Sequence, residues 1–297
     1  MPVTISATPA RAPTFAVIVL SQGNRPVELR HCLDSLLSQT RVSLDIVVVG
    51  NGWAPPDLGP GVRSHALVDN IGIPAGRNVG ARLTTSEFVW FFDDDAWVPT
   101  SDLLDRVAVM FAGQPRLAAV QPRVCDIDGT TLRRWVPRAR VGDPLRSGPA
   151  FTVEEGVTIV RRAAFDAVGG WPDNFFYGHE GIDLAWRMRD ANWDLRYAAD
   201  LVVHHPATDP GRHGEFYRRN ARNRVWVARR NLPAVLVPVY LGVWTLITVA
   251  RLVRQPADLR TWWAGFLEGW HTDPGRRQPM RWSTVIALTR LGQPPII

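Results

Sequence analysis

The stretch Phe88-Val-Trp-Phe-Phe-Asp-Asp-Asp-Ala-Trp-Val-Pro99 decides the fold of this chain. Residues 88–92 are aromatic or β-branched and have the length of a strand that is buried on both faces, as a central parallel strand is. Three consecutive carboxylates, Asp93, Asp94 and Asp95, follow directly. Open α/β sheets bind ligands at the carboxyl ends of their strands, and hard divalent cations prefer carboxylate oxygens. We therefore expect a metal site here, completed by the diphosphate of a substrate.

The segments before this strand predict a parallel sheet. Two apolar runs, residues 15–20 and 44–49, each end in a turn sequence, and apolar side chains recur at helical spacing between Leu29 and Leu37. Strand, helix and strand over about 35 residues form a βαβ unit, which implies parallel strands. Farther along the chain we expect strands at 64–68, 117–124, 157–160 and 200–205, helices at 74–84, 101–113 and 161–168, and a hairpin turn at 126–130.

Two further stretches carry polar residues at positions typical of a binding site. A glycine-spaced loop allows close backbone approach and holds Arg77 and Asn78, whose side chains can reach polar groups of a ligand. Glu180, Asp183 and Arg187 are spaced i, i+3 and i+7, so we expect them on one face near the start of a helix. The helix dipole favours acidic residues at any helix N-terminus, so the spacing alone leaves a purely structural role open.

Composition places the chain among ordinary globular proteins, with 297 residues, 46% hydrophobic and 21% charged. The formal net charge is +6, and all 34 basic residues are Arg, which binds phosphate groups bidentately. Basic residues concentrate after Arg212 without a nucleic-acid-binding motif, so a phosphate-bearing or membrane-surface partner is favoured over DNA or RNA.

Cys32 and Cys125 form no CxxC pair, which argues against a zinc site or a disulfide framework. Residues 1–13 lack the apolar core of a signal peptide, so we expect a loose leader on a cytoplasmic protein.

The chain changes character from Gly214 onward. Arginines alternate with aromatic residues, and residues 234–250 then form a 17-residue segment without a charge, at the short limit for spanning a bilayer. Residues 259–270 add three tryptophans. Trp-rich amphipathic segments flanked by Arg suit a membrane interface, so we expect peripheral membrane contact. A helical subdomain packed on the rest of the chain is the alternative.

Taken in order, these motifs resemble those of the family 2 glycosyltransferases with the GT-A fold, over residues 14–232. The shared series is a first βα unit, a strand ending in an Asn-Gly turn, Asn-x-Gly loops, an Asp-rich strand end, a Gly-Gly-Trp motif, a Glu-x-x-Asp-Leu-x-x-Arg helix and a strand ending in His. The sequence is most similar to the bacterial rhamnosyltransferase-like, cell-wall and polysaccharide branch. The resemblance implies a Rossmann-like mixed α/β sheet flanked by helices. We expect a leader at 1–13, a catalytic domain at 14–211 and a basic, aromatic, membrane-associated helical extension at 212–297.

The resemblance also implies an inverting, metal-dependent enzyme at the inner face of the plasma membrane. Such an enzyme moves a sugar from a UDP-, dTDP- or GDP-sugar to a hydroxyl of a glycan or lipid-linked acceptor. Mg²⁺ or Mn²⁺ would be held by Asp93, Asp95 and His205, with His204 as the second choice. The expected donor contacts are Ser21, Asn51, Trp53, Asn70, Gly72, Arg77, Asn78, Asp93 and Asp94.

Two positions depart from the family pattern. The second strand usually ends Asp-Asn-Gly-Ser, and here it ends Gly50-Asn-Gly-Trp53, so Trp53 is expected to stack on the nucleotide base in place of a contact from an Asp. The helix with the Glu-x-x-Asp-Leu motif usually begins Glu-Asp-x-Asp-Leu in the family. The position that commonly holds the catalytic base is Gly181 in this sequence. Either Glu180 or Asp183 is therefore expected to act as the base, and both assignments stay open.

Three other functions fit parts of the sequence. A nucleotidyltransferase also uses Asp-bound Mg²⁺ on a Rossmann-like sheet, but residues 21–25 are a poor version of its glycine-rich loop. A non-catalytic sugar-nucleotide-binding protein is consistent with Gly181. A membrane-anchoring module without chemistry leaves the acidic motifs unexplained. A product assay separates the first two from a glycosyltransferase, because only the glycosyltransferase releases nucleoside diphosphate.

Overall fold

The computed structural model describes residues 12–137, 143–207 and 215–296. Its centre is a mixed sheet that has eight strands within these residues, in the spatial order β3-β2-β1-β4-β7-β5-β8-β6. The strands are β1 Thr14–Ser21, β2 Ser43–Asn51, β3 Val62–Leu67, β4 Phe88–Asp93, β5 Leu117–Cys125, β6 Gly148–Pro149, β7 Ile159–Arg161 and β8 Asp194–His204. The helices are α1 Pro26–Leu37, α2 Ile73–Arg82, α3 Leu103–Gly113, α4 Arg162–Ala167, α5 Glu180–Asp190, α6 Phe216–Asn231, α7 Leu236–Leu252, α8 Pro256–His271 and α9 Trp282–Arg290.

The side chains of β1 alternate between two hydrophobic cores on opposite faces of the sheet. Phe15, Val17 and Val19 pack into the core that contains buried residues of α1 and α3. Ala16 and Ile18 pack into the core that contains buried residues of α2 and α5. Because successive side chains of a strand point to opposite faces, an uninterrupted apolar run is what a strand covered by helices on both sides requires.

β4 is a central strand, as its sequence predicts. It pairs in parallel with β1 and antiparallel with β7, and its residues from Phe88 to Phe92 are buried. β4 ends at Asp93, so the carboxylate triplet begins at the carboxyl edge of the parallel strands. β7 runs in the opposite direction, so the segment that leads into β7 lies at this same edge. The backbone N of Asp93 donates a hydrogen bond to Gly156 O in that segment, over 2.9 Å.

Some predicted boundaries differ from those of the structure. β8 begins at Asp194 and not at residue 200, because its parallel pairing with β5 already starts there. The turn at 126–130 forms, with Asp126 Oδ1 accepting a hydrogen bond from Thr130 N, but the next described strand is β6, so the hairpin prediction is wrong. Most of the predicted leader and the predicted boundary at 211/212 fall on residues 1–11 and 208–214, outside the described residues.

The C-terminal helices pack against the rest of the fold. A third hydrophobic core joins Phe175 and Trp186 to buried residues of α6, α7 and α9. This is the packed helical arrangement that the sequence left as an alternative. Several apolar side chains of α7 and α8 nevertheless remain in solvent, among them Leu246, which is 73% exposed. Among the described residues, no helix combines the length and the apolar character needed to cross a membrane.

Candidate active site

A cavity of about 830 Å³ opens at the carboxyl edge of β1, β2 and β4. Each of these strands ends in a predicted site residue, respectively Ser21, Asn51 and Asp93. Parallel strands bring their carboxyl ends to one edge, which is where α/β sheets bind ligands. The predicted site residues that line the cavity are Ser21, Asn51, Asn70, Gly72, Arg77, Asp93, Asp94, Asp95, Glu180 and His205.

Asp93, Asp95 and His205 form a compact cluster in the cavity wall. His205 Nε2 lies 3.4 Å from Asp93 Oδ2 and 3.3 Å from Asp95 Oδ1. One ligand atom from each residue lies within 4.8 Å of the other two. Carboxylate oxygens with an imidazole nitrogen suit Mn²⁺, and carboxylate oxygens suit Mg²⁺, so the residues fit a divalent cation. His204 does not line the cavity, and its Nδ1 lies 2.8 Å from Asp126 O.

Neighbouring charges keep Asp93 ionised. Arg77, which is 3% exposed, contacts Asp93 Oδ1 through one guanidinium nitrogen over 2.6 Å. Burial alone would raise the pKa of Asp93, but Arg77 and His205 together hold that pKa well below its usual range. Burial alone would lower the pKa of His205, and its hydrogen bond to Asp93 raises that pKa overall. Asp93 is therefore available as a carboxylate ligand at neutral pH.

The last residue of β1 and an arginine just before α1 hold the other two carboxylates. Ser21 Oγ donates a hydrogen bond to Asp94 Oδ2 over 2.6 Å. Arg25 forms ion pairs with Asp94, over 3.1 Å, and with Asp95. Asp94 is 3% exposed, and burial raises its pKa even though Ser21 and Arg25 act in the opposite direction. Arg25 thus contacts two carboxylates of the triplet, and Asp94 is the member that lies outside the cluster with His205.

Amide side chains hold the loop that precedes α2. Asn51 Nδ2 donates to Asn70 Oδ1 over 2.9 Å, and Asn51 Oδ1 accepts from Ile71 N over 2.9 Å. Gly72 has a φ of +91°, and a Cβ there would lie 2.6 Å from Phe176 Cα, so this position requires glycine. The Asn-Gly turn of β2 and the Asn-x-Gly loop therefore form one hydrogen-bonded wall of the cavity.

Asn78 and Trp53, both predicted donor contacts, are not brought to the cavity lining. Asn78 is buried, and its amide exchanges hydrogen bonds with the backbone of Trp171, over 2.8 Å and 3.0 Å, which ties α2 to the Gly-Gly-Trp segment. Trp53 packs against the first hydrophobic core. Its ring lies close to Gly23, and a Cβ on Gly23 would be only 2.3 Å from the ring. In this structure both side chains pack against other parts of the protein and do not line the cavity.

The two candidate bases on α5 have different surroundings. Glu180 is 2% exposed and lines the cavity, and its Oε2 has no hydrogen-bond partner among the described residues. Burial, followed by the neighbouring Glu155, raises the pKa of Glu180 to about 8. Asp183 is fully buried and does not line the cavity. Its hydrogen-bond partners, over 2.6–2.9 Å, are Arg187, Arg230 and Asn231.

Glu154 and Glu155 also line the cavity, although the sequence analysis did not select them. They precede β7, whose antiparallel direction brings this segment beside the end of β4. A Cβ at Gly156 would lie 2.0 Å from Asp93 Oδ2, so glycine allows the close approach. The paired acids were visible in the sequence, but only the strand direction shows that they face Asp93. The other lining residues that were not selected include Arg25, Arg134, Trp135, Phe176 and Arg219.

Two curated relatives come from Mycobacterium tuberculosis. A pre-mycofactocin glycosyltransferase is 26% identical over 229 residues, which are 72% of this chain and 44% of that protein. An N-acetylglucosaminyl-diphospho-decaprenol L-rhamnosyltransferase is 26% identical over 182 residues, which are 52% of this chain and 58% of that protein. The chain therefore spans about half the length of these relatives.

A solved structure and a family model complete the comparison. GalNAc-T7, crystallised with UDP, GalNAc and Mn²⁺, matches with a TM-score of 0.62 over 78% of this chain and 50% of that chain. The sequence identity is 13%, so this likeness concerns the fold alone. The model of Glycosyl transferase family 2 matches residues 17–169, just over half of the chain. The resemblance predicted from the ordered motifs is thereby confirmed, and the chain, with its GT-A fold, belongs to glycosyltransferase family 2.

Proposed function

We propose that this chain is an inverting, metal-dependent glycosyltransferase. It would move a sugar from a nucleotide-diphosphate donor to a hydroxyl of a cell-wall, polysaccharide or lipid-linked acceptor. One observation carries the proposal: the cluster Asp93, Asp95 and His205 lines the same cavity as the buried carboxyl of Glu180, whose Oε2 has no partner among the described residues. The cluster suits a cation on a diphosphate, and the carboxyl suits a hydroxyl group. A transferase must hold these two substrates side by side.

The donor half of the site consists of the carboxylate cluster and the wall formed by the Asn-Gly turn of β2 and the loop before α2. Asp93, Asp95 and His205 would hold Mg²⁺ or Mn²⁺, which when bound neutralises charge on the departing nucleoside diphosphate. Arg77 keeps Asp93 ionised through its contact at 2.6 Å. Ser21 holds Asp94, and Asn51 holds the loop before α2, and these two segments would receive the nucleotide. UDP-sugars are the first donors to test, and dTDP- and GDP-sugars follow.

The acceptor half of the site is organised around Glu180. Its carboxylate would take the proton of the acceptor hydroxyl while that oxygen attacks the anomeric carbon on the face opposite the leaving diphosphate, which inverts the configuration. The burial that raises the pKa of Glu180 also strengthens it as a base once it is deprotonated. Asp183 is fully buried, and its carboxylate already accepts hydrogen bonds from two arginines. We assign Asp183 to anchoring α6 and Glu180 to the chemistry.

We also propose that the region from α6 to α9, the described part of the predicted extension 212–297, contacts a membrane peripherally from the cytoplasmic side. Leu246, Leu267 and Trp282 are each more than half exposed. Exposed arginines lie on the helices of the two leucines, Arg251 on α7 and Arg260 on α8. Apolar side chains can enter the headgroup region while arginines attract anionic lipid, so this composition supports peripheral contact. Such contact would bring the cavity close to a lipid-linked acceptor.

Product analysis tests the proposed reaction. The purified chain is incubated with UDP-, dTDP- and GDP-sugars, with and without Mn²⁺, in the presence of water alone or of lipid-linked glycan acceptors. Release of nucleoside diphosphate that depends on Mn²⁺ is the expected result. Release of pyrophosphate from sugar phosphate and nucleoside triphosphate would instead identify a nucleotidyltransferase. Donor binding without any release would identify a sugar-nucleotide-binding protein.

A further inference from the structure

The start of α5 has a glycine, Gly181, directly after Glu180. A Cβ at this position would lie 2.2 Å from Val153 O and 2.5 Å from Glu155 Oε1, so a larger residue cannot enter without moving the backbone. Gly181 N donates a hydrogen bond to Glu155 Oε1 over 2.7 Å. The carboxyl group of Glu155 therefore occupies the space into which a side chain at position 181 would extend.

We propose that Glu155 is a further catalytic residue of the glycosyl transfer, and that with Glu180 it forms a carboxyl pair which takes up the proton of the acceptor hydroxyl. This inference rests on the proposed function and deepens it by naming the second carboxyl. In the step, a bond forms between the acceptor oxygen and the anomeric carbon. The bond from that carbon to the diphosphate oxygen breaks, and the nucleoside diphosphate leaves with the bonding electrons. The hydroxyl proton moves to the carboxyl pair.

The carboxyl groups of Glu155 and Glu180 both lie at the first turn of α5, although the two residues belong to separate elements. Glu180 belongs to α5, whereas Glu155 belongs to the segment that leads into β7. Both line the cavity, and Glu155 is bound to the backbone amide of the residue that follows Glu180. Glu180 is 2% exposed, and its Oε2 lacks a partner among the described residues. A hydroxyl group that enters the cavity would meet an unpaired carboxyl oxygen there.

The charges around the pair favour one shared proton. Burial, followed by Glu155, raises the pKa of Glu180 to about 8. Burial raises the pKa of Glu155 as well, but backbone donors that include Gly181 N oppose this rise. Arg77 favours the ionisation of both carboxyl groups, whereas Asp93 disfavours that of Glu155. Glu155 in turn disfavours the ionisation of its neighbour Glu154. Because Glu155 disfavours the ionisation of Glu180, the proposed pair holds one proton and one negative charge, and its charged member accepts the next proton.

Glu155→Gln is the decisive variant. Gln keeps a side-chain oxygen that can accept the hydrogen bond from Gly181 N, but it cannot take up a proton. The measurements are nucleoside diphosphate release from UDP-, dTDP- and GDP-sugars with Mn²⁺, donor affinity by calorimetry, and melting temperature. We expect kcat to fall about 10²-fold or more, while donor affinity and melting temperature stay near the wild-type values. Glu87→Gln is the matched control, because this 60% exposed side chain pairs with Arg161 outside the cavity, and it should keep wild-type kcat.

Glu155→Ala provides a second readout that a structural role would not give. Its smaller side chain leaves space beside Gly181, and sodium formate should restore part of the lost activity by supplying a carboxylate. Wild-type kcat in Glu155→Gln would overturn the inference, because Glu155 would then only accept the hydrogen bond at the start of α5. If wild-type protein releases no nucleoside diphosphate from any donor, the proposed function falls as well. If wild type and Glu155→Gln release nucleoside diphosphate equally, only the role of Glu155 is refuted and the proposed function stands.

Discussion

Asp183→Asn separates anchoring of the helical extension from catalysis. Asp183 Oδ2 lies 2.6 Å from Arg187, and its Oδ1 lies 2.9 Å from Arg230 and 2.8 Å from Asn231. Asp183 is fully buried, and both arginine side chains are only 12% exposed, so water cannot replace the lost charge well. Removing one partner of a buried ion pair costs about 3–5 kcal/mol. Because Asn keeps one acceptor oxygen, we expect the free energy of unfolding to fall by about 3 kcal/mol.

The pH dependence of this loss has a definite sign. Burial alone would raise the pKa of Asp183, but Arg187 and Arg230 lower it below its usual value. A carboxyl whose pKa is lower in the folded state stabilises the protein above the pKa of the unfolded chain, which is about 3.9 for Asp. This stabilisation is lost as the pH falls through the lower, folded-state pKa. The difference in unfolding free energy between wild type and Asp183→Asn should therefore be full at neutral pH and shrink in acid.

Urea denaturation at several pH values measures this difference, and kcat is then measured on fully folded protein. Asp190→Asn is the matched control on the same helix, because Asp190 accepts hydrogen bonds from Thr284 and from Arg281, which is 53% exposed. This control should lose only about 0–1 kcal/mol. We expect kcat per folded molecule to stay near wild type in both variants. An Asp183→Asn protein of normal stability that has lost turnover would refute the anchoring assignment and make Asp183 the base.

Three further predictions concern the donor, the base and the membrane. Asp95→Ala should abolish Mn²⁺-dependent binding of UDP or dTDP in calorimetry while the protein still unfolds cooperatively on heating, and unchanged affinity would reduce the carboxylate triplet to a structural turn. Glu180→Gln should lower kcat about 10²-fold or more with little change in donor affinity, and near-normal turnover would remove Glu180 from the chemistry. The chain should sediment with anionic liposomes and dissociate partly at high salt, because surface attraction is screened over about 8–10 Å. Protein that stays in the supernatant at low salt would contradict membrane contact.

The alternating strands and helices of the first half of the fold could be predicted from the sequence. Their signals are local: the apolar run from Phe88 to Phe92 covers two faces of a sheet, and the spacing from Leu29 to Leu36 covers one face of a helix. The place of the candidate site followed as well. Parallel strands end at one edge, so Asn51 and Asp93 could be expected near each other without knowledge of the side-chain contacts.

Contacts between distant segments decided the rest of the candidate site. Adjacent residues of a strand point to opposite sides, so the sequence could not tell whether His204 or His205 faces the carboxylates. In the structure His204 pairs with Cys125 in the sheet, and His205 lies beside Asp93. On α5, helical spacing predicted one shared face for Glu180 and Asp183. The packing of α6 instead surrounds Asp183 with basic and amide groups and leaves Glu180 in the cavity.

The carboxyl groups of Glu154 and Glu155 show most clearly what could not be predicted from the sequence. Their sequence reads as an acidic pair before a short apolar run, which is common on protein surfaces. They reach the cavity because β7 runs antiparallel to β4, and because Gly156 and Gly181 leave room for close approach. Strand direction depends on the pairing of β7 with β4 and β5, which are far away in the sequence, so no local pattern encodes it. The sequence by itself therefore determined the sheet edge and its carboxylate triplet, and only the tertiary structure decided which other acids face that triplet.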